Sequence, residues 1–235
     1  KAVVNTVKEL LPGGKVHEAY VYKLKQIAQM AQNTVGADGK LVPIIFRPFH
    51  EMEGGWFWWG RPHRTPEEFI ALWRFTVEYL RDNLEVHNFL YAFSPDCKFF
   101  TREEYLIDYP GDNYVDVVGM DNYWDFRPDG ANDQVLAGKK IKIVSDLAQE
   151  KGKIAAMTET GLESIPDSSW FTKKLMPVLQ YEGSKIAYVM LWRNDNRMKH
   201  HFYAPYPGHA SVPDFLKFYN EAYTLFENDL KGIYK

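Results

Sequence analysis

Two glutamates stand where a carboxylate can do chemistry. Glu51 follows the run Val42-Pro43-Ile44-Ile45-Phe46-Arg47-Pro48-Phe49-His50, and Glu159 follows Ile154-Ala155-Ala156-Met157-Thr158. Each sits at the C-terminal end of an apolar run of strand length. Carboxylates presented by two parallel strands can face each other across one cleft. Hydrolysis of a glycosidic bond needs such a pair: a neutral acid to protonate the leaving oxygen, and an ionised carboxylate to attack or to activate water. Beyond Glu51 the chain breaks at Gly54-Gly55 and enters Trp56-Phe57-Trp58-Trp59. Burial among indole rings disfavours a charge, so Glu51 is expected to be the neutral member. Tyr123, at the end of another apolar run, is placed to hydrogen-bond Glu159 and keep it ionised. Carboxylates also cap loops at strand ends, so the pair alone does not settle a catalytic role.

The elements that must position these residues alternate. Leu24, Ile27, Ala28 and Ala31 recur at helical spacing within 15–35. A strand is expected at about 41–47. Thr65-Pro66-Glu67-Glu68 has the residues of a helix start, with Thr as cap, Pro first and Glu three after the cap; the stripe Phe69, Leu72, Trp73, Thr76 and Leu80 follows. Further strands are expected over 88–93, 115–120, 154–159 and 186–192, with helices at 101–107, 133–150, 168–180 and 214–228. Apolar strands alternating with helices predict a parallel sheet buried on both faces. Polar and aromatic residues gather only at the strands' C-terminal ends, where (β/α)8 barrels build their sites. The whole of 1–235 reads as one barrel domain. Five strands cannot close a barrel, so its N-terminal part is expected to come from another segment or a second chain.

Composition narrows the classes. The 235 residues are 46% hydrophobic and 16% aromatic with a formal net charge of −3. That balance argues against a nucleic-acid partner held by charge. No apolar run approaches the roughly 18–20 residues a membrane helix needs. Lys1-Ala2-Val3-Val4-Asn5 lacks the order of regions of a signal peptide. Cys97 is the single cysteine, which excludes an intrachain disulfide and a thiolate zinc site. His50-Glu51-Met52-Glu53-Gly54 fails the two-His helical zinc motif, so neither metal nor cofactor is expected.

Pro43-Ile44-Ile45-Phe46-Arg47-Pro48-Phe49-His50-Glu51-Met52 with Gly55-Trp56-Phe57-Trp58-Trp59-Gly60 resembles the acid/base signature of glycoside hydrolase family 26, whose best-known members are endo-β-1,4-mannanases. Met157-Thr158-Glu159-Thr160-Gly161 resembles that family's nucleophile strand. Gly119-Met120-Asp121-Asn122-Tyr123-Trp124 and Leu191-Trp192-Arg193-Asn194 are similar to its strands six and eight. The resemblance implies a retaining (β/α)8 barrel of which strands four to eight are present here and one to three are missing. It further implies Glu51 as acid/base, Glu159 as nucleophile, and His50 and Tyr123 in support. Trp192 would stack under the sugar at the cleavage point, Trp56 would line the neighbouring subsite, and Arg193 would contact a sugar on the non-reducing side. The implied partner is a β-mannan, and a polymer substrate implies a secreted, periplasmic or cell-surface protein. A β-1,3-xylan or mixed-linkage β-glucan substrate, or a non-catalytic sugar-binding fragment, are the competing expectations. Retaining geometry predicts carboxyl groups about 5–5.5 Å apart.

Around this core, Arg47 is expected beneath the catalytic floor, paired with a carboxylate and lowering the pKa of Glu159. Trp124 is balanced between a subsite and packing. Asp121 and Asp195 are divided between sugar hydroxyls and loop hydrogen bonds. Trp73 and Trp170 are assigned to packing, and His200-His201 to solvent or substrate.

Overall fold

Each apolar run does become a parallel strand, and the strands pair in the order of the chain. The computed structural model describes residues 5–232; the opening Lys1-Ala2-Val3-Val4, read above for a leader, lies outside them. Helices α1 (Thr6–Leu10) and α2 (His17–Asn33) precede β1 (Ile44–Phe46). Then come α3 (Pro66–Glu78), β2 (Phe89–Phe93), α4 (Arg102–Leu106), β3 (Val117–Asn122), α5 (Gln134–Lys151) and β4 (Ile154–Thr160). The chain continues through α6 (Met176–Leu179), β5 (Tyr188–Leu191) and α7 (Val212–Tyr219). The five strands form one parallel sheet in sequence order, five βα units of a (β/α)8 barrel. β1 and β5 are its edges and its most exposed strands, whereas β3 is buried at every residue. Among the described residues no helix is long and apolar enough to cross a membrane.

Local chemistry explains most boundaries. Thr65 and Glu68 complete the expected capping box, with Pro66 at the first turn. Thr101 and Glu104 build a second one ahead of α4. Asp133 caps α5, and Gly152 closes it in the left-handed conformation that glycine adopts without a Cβ clash. β1 is shorter than expected. Pro43 and Pro48 have no N–H to give a ladder, and the side-chain amide of Asn88 holds the approach, donating to the carbonyls of Ala31 and Val42 at 3.0 and 2.9 Å.

Two expected helices are cut down. The segment expected over 168–180 opens as a wide π-helical turn at Phe171–Leu175 and turns α-helical only at Met176. Pro177 has no N–H for the carbonyl four residues earlier, so a regular α ladder cannot run through. The helix expected to reach 228 stops at Tyr219. There the Asn220 amide takes the Leu216 carbonyl at 2.7 Å and the Thr224 hydroxyl takes that of Phe218 at 2.6 Å. Side chains satisfy the end of the helix in place of a further turn.

The core lies between sheet and helices. Phe89, Tyr91 and Phe93 of β2, Val118 and Met120 of β3, and Met157 of β4 face outward onto Trp73 and Val77 of α3 and Ile141 and Val144 of α5. A fully buried ring such as Phe93 contributes about 1.5–3 kcal/mol of transfer free energy. On the inner face, small side chains (Ala92, Val117 and Ala156, with Tyr188 beside them) fill a separate cluster. Small residues are what the narrow interior of a barrel admits.

Candidate active site

β1 does not simply run out into its loop. Phe49 and Glu51 both have φ of 52°, a left-handed conformation in which non-glycine residues are strained by about 1–3 kcal/mol each. The two kinks flank His50 and swing Glu51 over the end of the sheet. The surroundings hold them. Phe49 packs edge-on against Trp58, Trp59, Phe69 and Trp73. The Glu51 N–H donates to the Ser94 carbonyl at 2.9 Å, and Trp59 Nε1 to the His50 carbonyl at 2.8 Å. Behind the loop, buried Arg64 donates to the carbonyls of Met52 and Trp59, each at 3.0 Å, and pairs with buried Asp108, as does Arg61. So the rings of the aromatic block divide. Trp58 and Trp59 pack, while Trp56 remains half exposed.

Glu159 is aimed by a β-bulge. Met120 pairs with Met157, but the next pair is Asp121 with Glu159, so Thr158 is an extra residue in β4. The pairing with β5 skips at the same place. One inserted residue reverses the side to which all later side chains point. It brings Glu159 to the same mouth as Asp121. Gly119 makes room for it: a Cβ there would lie 2.5 Å from the Thr158 methyl carbon.

Arg47 joins the strands. Its guanidinium donates to Asp121 Oδ2 at 2.8 Å, to Ser94 Oγ at 3.0 Å and to Glu159 Oε1. Burial works against its charge, but Asp121 and Glu159 outweigh that, and its pKa is raised. The other Glu159 oxygen accepts from the Tyr123 hydroxyl at 2.9 Å. Asp121 is neither a sugar contact nor a loop acceptor, in contrast to both sequence expectations. It is fully buried, accepts also from Thr158 at 2.7 Å, and burial pushes its pKa well above the usual carboxylate range. Its place near the C-terminal end of β3, two residues before Tyr123, was the available signal.

His50 sits with the other glutamate than its sequence position suggests. A ring nitrogen lies within 4.8 Å of the carboxylates of Asp121 and Glu159, and burial, then Arg47, lower its pKa. That trio has the spacing of a metal site, but Arg47 already donates to both carboxylates and supplies the positive charge there. Glu51 differs sharply in environment. Burial, then the charge of Asp96, raises its pKa to about 7, with a smaller push from Glu159 and an opposing hydrogen bond from Trp56. The two glutamates therefore sense each other across the mouth of the sheet, one held by two donors and one with its ionisation pushed up to about 7.

The sugar-sized space is a cavity of about 490 Å³ beside Glu159, walled by Tyr123, Trp192, Tyr203, Arg127 and Glu163. Trp192 is thus one wall of the space beside Glu159. Arg193 is outside the lining but next to it, with its guanidinium 5.8 Å from the Trp192 ring. Trp56 lies against Gly54, donates to Glu51 Oε2 at 2.8 Å, and has Lys98 4.2 Å from its ring centroid. Trp124 is half exposed, 6.0 Å from Arg127, and does not line the cavity. Trp73 and Trp170 are wholly buried, and Asp195 accepts from its own loop through the Arg197 N–H at 2.8 Å. Tyr203 had no signal in the sequence. It reaches the site because Gly161, at φ 141°, leaves it room; a Cβ there would lie 2.5 Å from its ring. Gly161→Ala is therefore expected to cost about 1–3 kcal/mol in a denaturant melt and to displace Tyr203 from the cavity.

Comparison with known proteins gives a consistent set. The model of glycosyl hydrolase family 26 matches residues 4–176. A mannan endo-1,4-beta-mannosidase of Bifidobacterium adolescentis is 40% identical over 227 residues, covering 89% of this chain. A solved GH26 protein of a Muricauda species is 45% identical with a TM-score of 0.93 over 98% of the chain. A solved GH26 beta-mannanase of Bacteroides ovatus is 38% identical with a TM-score of 0.91 over 99%. The chain spans 22% of the length of the Bifidobacterium protein, and 62% and 66% of the two solved chains.

Proposed function

The chain belongs to glycosyl hydrolase family 26, and from that premise we propose that it carries the catalytic machinery of a retaining endo-β-1,4-mannanase. The observation that carries this is the contrast between two glutamates at one cleft. Glu51 is held toward its neutral form, and Glu159 accepts from Arg47 and Tyr123. In this mechanism Glu51 gives its proton to the glycosidic oxygen while Glu159 attacks the anomeric carbon. Glu51, now a carboxylate, takes a proton from water as the water oxygen attacks the anomeric carbon and breaks its bond to Glu159, which releases the sugar with its configuration retained. Arg47 and Tyr123 hold the attacking carboxylate in line, Trp192 offers a face to the sugar ring, and Arg193 reaches a hydroxyl on the non-reducing side. Trp56 fixes the proton donor through its N–H and presents a half-exposed ring to the leaving sugar. A polymer of this size does not enter cells, so the protein acts outside the cytoplasm.

The test is hydrolysis of β-mannan, β-1,3-xylan and mixed-linkage β-glucan in parallel. Mannan is expected to be cleaved, with the β-anomer released first by NMR. Preference for either other polymer, or binding without turnover, overturns the proposal. The acid also sets a pH limit. Glu51 must be protonated in the free enzyme, and its pKa is about 7. Activity is thus present below that pH and lost above it: kcat/KM should fall roughly tenfold per unit on the alkaline side. A profile that stays flat to pH 9 would remove Glu51 from the acid role.

A further inference from the structure

The loop after β5 folds back onto the loop after β4, and the join contains a histidine placed between two charges. His201 Nδ1 lies 2.6 Å from Glu163 Oε1, and Arg193 Nε lies 3.2 Å from His201 Nε2. An arginine can only donate, so Nε2 must present its lone pair, and the ring proton must sit on Nδ1, facing Glu163. The backbone that carries the ring is held on both sides: the Asp195 N–H donates to the His201 carbonyl at 2.9 Å, and the Ser164 N–H to that of Phe202 at 2.8 Å. It meets Tyr203 edge-on at 5.5 Å. The other charges about it are Asp195, 3.7 Å from Arg193 and bonded to Arg197, and Arg127, which pairs with Asp129. Lys199 and His200 flank it along the chain.

We propose that His201 is a positioning residue, which in its neutral form holds Arg193 at the cavity rim for a sugar beside Trp192. This rests on the mannanase reading above. Protonation would set an N–H on Nε2 against the N–H of Arg193, and two donors cannot bond. The imidazolium keeps Glu163 and releases Arg193. Sugar binding at this rim is therefore weaker with His201 protonated than with it neutral.

The experiment uses the protein with Glu159→Gln, so that binding is read without turnover. Calorimetry with a β-1,4-linked mannohexaose is expected to show Kd rising about tenfold between about pH 7.5 and about pH 5, the loss of one hydrogen bond to a charged group. Adding His201→Gln should flatten that dependence, because an amide accepts from Arg193 and donates to Glu163 at any pH. His201→Phe should bind weakly throughout. Glu51 titrates alike in all three and cancels in the comparison. A pH-independent parent, or a His201→Gln protein that keeps the parent's pH dependence, overturns the proposal. If the parent binds no mannohexaose at any pH, the mannanase reading fails instead. The ¹⁵N spectrum of His201 in the free protein then decides: Nδ1–H at about pH 7.5 is expected, and Nε2–H or the imidazolium would refute the arrangement.

Discussion

Glu159→Ala is expected to lower kcat on mannan by on the order of 10⁴-fold or more, the loss of a nucleophile on which both chemical steps depend. Asp121, the other carboxylate of the cluster, is fully buried and already engaged by Arg47 and Thr158. Arg47 and Tyr123 would keep their donors but lose their common acceptor. The truncation also opens space at the anomeric carbon's side of the cavity. Azide should enter it, be oriented by the same donors, and restore turnover with an inverted glycosyl azide as product. Stable folding with lost activity and azide rescue is the expected result. Undiminished hydrolysis by Glu159→Ala would end the assignment, and with it the mechanism built on Glu51.

Arg47→Leu is expected to damage stability and activity together. The guanidinium lies between Asp121 and Glu159, whose side chains are 0% and 5% exposed. A leucine fills much of the volume but leaves two acids in one dry pocket without a cation. Breaking a buried ion pair from one side costs about 3–5 kcal/mol. The loss depends on pH in a fixed direction. Without Arg47 the folded-state pKa of Asp121, already raised by burial, rises further, so stability is lost above the unfolded carboxylate range and recovered as pH falls. Denaturant melts should therefore show the largest deficit near neutral pH and a smaller one in acid. Glu159 also loses the Arg47 donor that holds it in line, so kcat falls as well. Arg47→Lys retains charge but not the fork that reaches Asp121, Ser94 and Glu159 at once, so partial recovery of stability is expected with less recovery of rate. Wild-type stability in Arg47→Leu would contradict the buried-cluster account.

Much of this was legible in the chain, and the legible part has a common physical basis. Apolar runs of strand length, the Thr65–Glu68 box and the Phe69-to-Leu80 stripe are local signals, and local signals fixed five strands and the helices between them. Strand ends are also local, so the two glutamates, Arg47 and Tyr123 could be named from their positions, whereas Trp192 came from the family resemblance. The misjudged ends, at Met176 and Tyr219, had causes that are local but subtle: one missing N–H at Pro177, and side chains at Asn220 and Thr224 competing for carbonyls.

What only the tertiary structure decided is which groups meet. The extra residue at Thr158 turns Glu159 toward Asp121, and a bulge is defined by the neighbouring strand's register, which no single strand encodes. The left-handed kinks at Phe49 and Glu51 survive because rings and carbonyl contacts from distant segments outweigh their strain. His50 borders Glu51 in sequence yet stands with Glu159 in space, and His201 links Glu163 to Arg193 across separate loops. The sequence by itself determined the strands, the helices and the supply of acids and rings, because those follow from periodicity. The pairings that hold them in place depend on distances between residues up to 112 positions apart, as between Arg47 and Glu159, and only folding sets such distances.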